Sequence, residues 1–103
     1  MNAILYLPEQ LPQKVPADGF VLPDAMSGFV QVPAQVPELL GCLPGLVDVL
    51  ASGPGYVAYS VFDSEEKVNH AAMVAVAEAS GIEFDEEDED MTLRGAILLI
   101  LAV

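Results

Sequence analysis

Few side chains in this sequence could take part in acid–base or nucleophilic chemistry, and one pair has a suitable spacing. His70 follows Glu66 by four residues, so on a helix the two side chains would share a face and could form a hydrogen bond. A histidine oriented by a carboxylate can act as a general base, with Cys42 or a serine as the nucleophile. However, no Gly-x-Ser-x-Gly motif occurs, and a lone histidine on an apolar helix is typical of a surface position. We therefore predict that the protein is not an enzyme and that His70 and Cys42 are dispensable.

One dense acidic run could attract a metal ion by its composition. Residues 83–90 hold seven of the sixteen acids, and hard cations prefer carboxylate oxygens. The run does not match a calcium-binding EF-hand loop, because the sixth and twelfth residues counted from Asp85 are Asp90 and Ala96 instead of glycine and glutamate. A zinc site is excluded, since the chain has one cysteine and one histidine. We expect no metal site and no cofactor.

The charge balance limits the classes of partner. Sixteen acids against three bases, Lys14, Lys67 and Arg94, give a formal net charge of −13. Nucleic acids and anionic membranes both attract lysine and arginine, so we expect direct binding to neither. The most apolar segment, residues 93–103, has eleven residues with Arg94 as its one charge, whereas a membrane span needs about 20.

The apolar content is high for a chain of this size. Hydrophobic residues make up 53% and charged residues 18%, against about 25% charged in an average soluble domain. A domain of 103 residues buries roughly 60–70% of the surface of its unfolded chain, which leaves apolar surface uncovered. We expect a protein partner to cover it, in a homo-oligomer or a multi-subunit assembly. One cysteine and no basic segment near the first residue predict a cytoplasmic protein, or one inside an intracellularly assembled particle.

The prolines divide the first third of the chain into short extended pieces. Six of the eight prolines precede residue 40, which excludes a long helix there. Residues 3–7 are predicted to form a strand, followed by a proline-rich extended segment over about residues 8–18. Two similar apolar runs, 19–23 and 28–33, predict a β-hairpin at a sheet edge, because their terminal prolines cannot donate to a ladder.

After the proline-rich third, the sequence predicts first a helix and then a strand. Apolar residues over 36–50 recur at the spacing of one helix face, with a break near Pro44. Residues 56–62 are rich in β-branched and aromatic residues and are predicted to form a central strand.

A second helix is predicted over residues 64–80. Asp63 with Glu66 three residues later is typical of a helix start, and Gly81 of a helix end. We expect this helix to pack on the central strand, with a core that includes Val57, Tyr59, Val61, Val68, Ala72 and Ala75.

The last segment, residues 91–103, carries Arg94 as its one charged residue. A short apolar run fits a buried strand or a helix, and the excess of leucine and alanine favours the helix. The apolar side chains expected to bind a partner here are Leu93, Ala96, Ile97, Leu98, Leu99, Ile100 and Leu101. The predicted fold is α+β: a small mixed sheet of the N-terminal strand, the edge hairpin and the central strand 56–62, packed with two or three helices. Residues 1–103 are expected to form a single domain with an acidic loop at 83–90.

Two functions fit these features. The first is a non-enzymatic structural or interaction protein, a small acidic subunit that docks through apolar surfaces into a larger assembly such as a virion or another multi-copy particle. The alternative is an acidic inhibitor that imitates nucleic acid and occupies the basic groove of a nucleic-acid-binding protein. Its contacts would come from the acidic patch Glu83, Asp85, Glu86, Glu87, Asp88, Glu89 and Asp90.

Neutralising the acidic patch distinguishes the two functions. Replacing all seven acids with Gln and Asn removes the negative charges that a phosphate mimic needs and leaves every apolar side chain in place. For a docking subunit we expect unchanged folding by circular dichroism and unchanged assembly by analytical ultracentrifugation. Loss of partner binding with folding intact would instead support the mimic.

Overall fold

The computed structural model describes residues 1–84, 87 and 92–102. In this part of the chain, the regular elements are five strands, two α-helices and one 3-10 turn at Pro44–Leu46. In chain order they are β1 Asn2–Tyr6, β2 Gln13–Val15, α1 Gln35–Leu40, β3 Val47–Gly53, β4 Tyr56–Val61, α2 His70–Ser80 and β5 Ile97–Leu101.

All five strands belong to one sheet with the order β2-β1-β5-β4-β3, and every neighbouring pair is antiparallel. The predicted fold class was therefore wrong: the sheet is antiparallel and not mixed, and it dominates the described residues, which hold only two α-helices and one 3-10 turn. The predicted extended segment around residues 8–18 contains β2. The strand predicted over 56–62 is β4, but the middle of the sheet is β5.

The last strand, β5, explains the apolar C-terminal run. Leu98 and Ile100 point to one side of the sheet, Ile97 and Leu99 point to the other, and all four are buried. A strand buried on both faces needs a continuous apolar sequence, because neither face meets water. The preference for a helix in this segment was wrong, since leucine content does not outweigh this two-sided burial.

The two faces of the sheet are covered by different elements. Segment 17–42, which ends with α1, covers one face through Phe20, Val36 and Leu40, and we call this side the α1 face. Helix α2 covers the other, the α2 face, through Ala72, Met73 and Val76.

The predicted core joined residues that lie on opposite faces. Val57, Tyr59 and Val61 of β4 point to the α1 face. Val68, Ala72 and Ala75 pack on the α2 face, where β4 presents Tyr56 and Ala58 instead. Successive side chains of a strand point to opposite sides of the sheet. The sequence alone does not reveal which of the two sets of β4 side chains faces helix α2.

The predicted helix 36–50 and hairpin 19–33 were also wrong in part. Helix α1 ends at Leu40, and after the 3-10 turn the chain becomes strand β3. Residues 19–33 form no strand, although the Asp24 N–H donates to the Phe29 carbonyl at 3.0 Å and closes a loop. The Tyr59 hydroxyl donates to the Gln31 carbonyl at 2.5 Å and holds this segment on the sheet. Burial of Tyr59 raises the pKa of its hydroxyl.

Asn69 caps α2, not Asp63, and the predicted helix started too early by six residues. Asn69 is 1% exposed, and its side-chain amide donates to the Tyr6 carbonyl at 2.9 Å and to the Gly95 carbonyl at 2.7 Å. Its side-chain oxygen accepts from the Ala72 N–H at 3.2 Å. One side chain therefore ties the end of β1, the approach to β5 and the first turn of α2. The predicted end of the helix at Gly81 is confirmed, with a left-handed φ of 78°.

Asn69→Ala tests this connection. The change leaves two buried carbonyls without donors and removes the helix cap, which should lower the free energy of unfolding by about 3 kcal/mol. Urea unfolding followed by circular dichroism measures the loss. Val74→Ala, on the exposed side of the same helix, is the matched control and should change stability by less than about 0.5 kcal/mol. Equal stabilities of the two variants would contradict the role of Asn69.

Candidate interaction surface

The residues predicted to bind a partner lie in the core of the folded protein. Leu93, Ala96 and the four residues 97–100 are buried, and Leu101 is half-buried. The fold itself accounts for their apolar character. Their partner-binding role stays a prediction, and the exposed surfaces of the described chain are formed by other residues.

The acidic patch is described at two positions, Glu83 and Glu87, and both side chains are exposed. The other five acids of the predicted patch, Asp85, Glu86, Asp88, Glu89 and Asp90, lie outside the described residues. In the part of the chain that the structure describes, no group of three or more His, Cys, Asp or Glu side chains could hold a metal ion.

The helical spacing that would have paired Glu66 with His70 does not occur. His70 is the first residue of α2, so Glu66 precedes the helix and the i,i+4 spacing does not place the two side chains on one helix face. The backbone N–H of Glu66 donates to the Ser64 hydroxyl oxygen at 3.2 Å, in the segment before the helix. Cys42, half-buried just after α1, is a free thiol.

Three exposed hydrophobic residues are linked by backbone hydrogen bonds where β3 begins and β4 ends. We call Leu43, Leu46 and Phe62 the apolar cluster; they are 71%, 40% and 62% exposed. The Leu46 N–H donates to the Leu43 carbonyl at 2.9 Å, and the Phe62 N–H donates to the Leu46 carbonyl at 2.7 Å. Leu46 and Phe62 thus continue the Val47–Val61 pair one step beyond the ladder. These hydrogen bonds hold the backbone of the three residues at the end of the sheet, and the side chains lie at the surface.

A cleft of about 580 Å³ lies next to the cluster on the α2 face of the sheet. Its floor includes Leu50 of β3 and Ile97 of β5, and Phe62 lines it as well. Polar side chains from three parts of the chain surround the floor: Asp48, Ser60, Asp63, Ser64, Thr92 and Arg94.

The walls of the cleft are joined by backbone contacts. Val68 and Arg94 form an isolated antiparallel bridge, and the Gly95 N–H donates to the Lys67 carbonyl at 3.0 Å. A Cβ at position 95 would lie 2.5 Å from the Ser64 hydroxyl oxygen, and φ there is 75°, so this close approach requires glycine. Arg94 donates to the Glu66 carbonyl at 3.3 Å across the same junction.

The groups that line the cleft can form hydrogen bonds and ion pairs with a ligand. Hydroxyl groups come from Ser60, Ser64 and Thr92. Two carboxylates, Asp48 and Asp63, line the cleft together with these hydroxyl groups, Arg94 and apolar side chains, so acids outnumber bases there. This arrangement suits a ligand that combines positive charge, hydrogen-bonding groups and apolar side chains.

Strand β3 is an edge strand of seven residues. Among the described residues, none pairs with its outer side, so about half of its backbone N–H and C=O groups are free for another strand. The opposite edge, β2, has three residues between Pro12 and Pro16, and its length and flanking prolines protect it. A register shift between Val49 and Ala51 and the charge of Asp48 are the features that interrupt β3.

The surface of the described chain is acidic throughout. All eleven acids that the structure describes are exposed: Glu9, Asp18, Asp24, Glu38, Asp48, Asp63, Glu65, Glu66, Glu78, Glu83 and Glu87. Lys67 forms an ion pair with Glu9 at 2.9 Å, and this hydrogen bond raises the pKa of the lysine. Lys14 lies on β2, at the other edge of the sheet from β3.

Comparisons of the chain with protein-family models, with curated proteins and with solved structures found no match. Within the described residues, no helix has the length and apolar character to cross a membrane.

Sequence patterns did not identify the apolar cluster. Leu43 belonged to the predicted helix face 36–50 and Phe62 to the predicted central strand, so both would have been placed in the core. The Pro44-Gly45 pair was the available signal, because it indicates a turn that could leave its neighbours exposed.

Proposed function

We propose that the protein is a non-enzymatic interaction protein, a small acidic subunit that docks onto a protein partner through the apolar cluster. The exposure of Leu43, Leu46 and Phe62 on a fixed backbone carries this proposal. The partner belongs to a larger assembly of several subunits. The single cysteine of the chain suits a reducing compartment, so we place this assembly inside the cell.

The energetics of the cluster support docking. Full burial of a leucine or phenylalanine side chain is worth about 1.5–3 kcal/mol, so three such residues supply several kcal/mol to an interface. Both sides of the sheet already have cores formed by other residues. The fold does not require these three side chains to be apolar. Because hydrogen bonds already hold their backbone, binding a partner would cost this chain little backbone entropy.

A binding role also explains the polar groups around the cleft. Arg94 and Ser64 form hydrogen bonds with the backbone of Glu66 and stabilise the junction of two segments. Asp48 and Asp63 are exposed beside the cluster. A hydrophobic centre with a polar rim is the usual organisation of a protein interface.

A triple variant tests the proposed function. Leu43→Ser, Leu46→Ser and Phe62→Ser together remove the apolar cluster and should lower the free energy of unfolding by less than about 1–2 kcal/mol, because the side chains are exposed. The matched control replaces three exposed hydrophobic residues elsewhere with serine: Leu11, Met26 and Val74. Thermal unfolding checks that both variants fold.

Site-specific photo-crosslinking provides the readout for binding. A photoreactive amino acid at position 45, inside the cluster, and a second at position 26 are placed separately in the protein in the cells that naturally produce it. We expect a discrete adduct with one partner from position 45, which disappears in the triple variant and persists in the control variant. The same adducts from both positions, or an adduct that survives in the triple variant, would contradict docking through the cluster.

A further inference from the structure

We propose that the segment of the partner bound at this surface is a basic, extended peptide that adds a strand to the outer edge of β3 and places lysine or arginine side chains beside Asp48 and Asp63. This inference rests on the proposed function and adds the chemistry and geometry of the partner.

The backbone of β3 provides the first part of the argument. An edge strand of seven residues with free N–H and C=O groups can pair with an extended peptide, whose own backbone groups supply the complementary donors and acceptors. The 3-10 turn and the apolar cluster lie at the start of β3, so a paired peptide would reach the cluster at one end. The aliphatic part of a basic side chain at that end could then pack on Phe62, which lines the cleft on the same face as Asp48.

Strand alternation brings the carboxylates into the same surface. Asp48 pairs with Ser60 and lies on the α2 face, on the side of the cleft. Every second side chain of an added strand would point to this face, next to Asp48 and toward Asp63. In a peptide that alternates basic and apolar residues, all the basic side chains point to the same face. They can therefore form ion pairs with both Asp48 and Asp63.

Charge favours a basic partner over a second copy of this chain. Pairing β3 with β3 of another copy would bring Asp48 and Asp63 of both chains into one interface. Each copy brings one base to this interface, Arg94, which lines the cleft and donates to the Glu66 carbonyl, so the two carboxylates of each copy still outnumber it. Lys14 is at the opposite edge and Lys67 is paired with Glu9. A charge on an edge strand prevents this kind of self-pairing, and the same charge attracts lysine or arginine.

A synthetic peptide tests the inference directly. The probe is the blocked octapeptide Lys-Val-Lys-Val-Lys-Val-Lys-Val, titrated into the full-length protein at about 0.15 M salt to screen long-range attraction. One comparison peptide has glutamate in place of lysine, and another is methylated at alternate backbone nitrogens to remove hydrogen-bond donors. We expect NMR shifts of backbone amides concentrated in β3 and at Phe62 and Asp63. Both comparison peptides should bind at least about tenfold more weakly.

Matched charge variants separate a specific site from general attraction to an acidic protein. The variant Asp48→Asn with Asp63→Asn should bind the lysine peptide about tenfold more weakly. Asp18→Asn with Glu38→Gln removes the same number of charges away from the cleft and should change the affinity by less than about twofold. Equal losses in the two double variants, or shifts centred away from β3, would overturn the proposal.

Two further results distinguish failure of the basic-strand inference from failure of the proposed function. If the lysine peptide does not bind but the crosslinked partner still depends on the apolar cluster, the basic strand is wrong and the docking function stands. If sedimentation shows a dimer that forms through β3 without peptide, the occupant is a second copy and the inference is overturned.

Discussion

The buried amide of Asn69 connects parts of the chain that are far apart in sequence, and much of the fold depends on it. Its side chain binds the carbonyls of Tyr6 and Gly95 and the first turn of α2. Its backbone N–H donates to the Leu93 carbonyl at 2.7 Å, which brings the approach to β5 beside the start of the helix. A buried polar group is stable only when its hydrogen bonds are made, so these contacts select one arrangement of β1, β5 and α2.

With β5 held in this way, the order of the strands determines which surfaces remain exposed. Because β5 lies between β1 and β4, the pairs β1–β2 and β4–β3 extend the sheet in opposite directions and leave β2 and β3 as its edges. The prolines beside β2 make that edge a poor template for another strand. The longer β3, with the apolar cluster at its start and the cleft beside it, is the side on which the fold presents apolar groups and negative charge together.

Much of the local structure could be predicted from sequence, whereas the strand order could not. Residues 56–62 were recognised as a strand by composition, and Gly81 as a helix end by its freedom to adopt positive φ. Ile97–Leu101 was ambiguous, because a strand buried on both faces and a buried helix have the same apolar sequence. The binding surface depends on which strand lies at the edge, and that follows from long-range pairing with no local signal. Asn69 was likewise one of three polar residues in the stretch 68–79, with His70 and Glu78, and nothing in its sequence context shows that it is buried.

Hydrogen exchange of the backbone amides, followed by NMR on the full-length protein, tests this arrangement most directly. We expect the amides of residues 98–100 to exchange slowest, through global unfolding, because β5 is paired on both sides and buried on both faces. Along β3, amides that point to the outer edge should exchange fast, and those bonded to β4 should exchange slowly. Rapid exchange at residues 98–100, or uniform protection of all β3 amides, would contradict a sheet with β5 at its centre and β3 at its free edge.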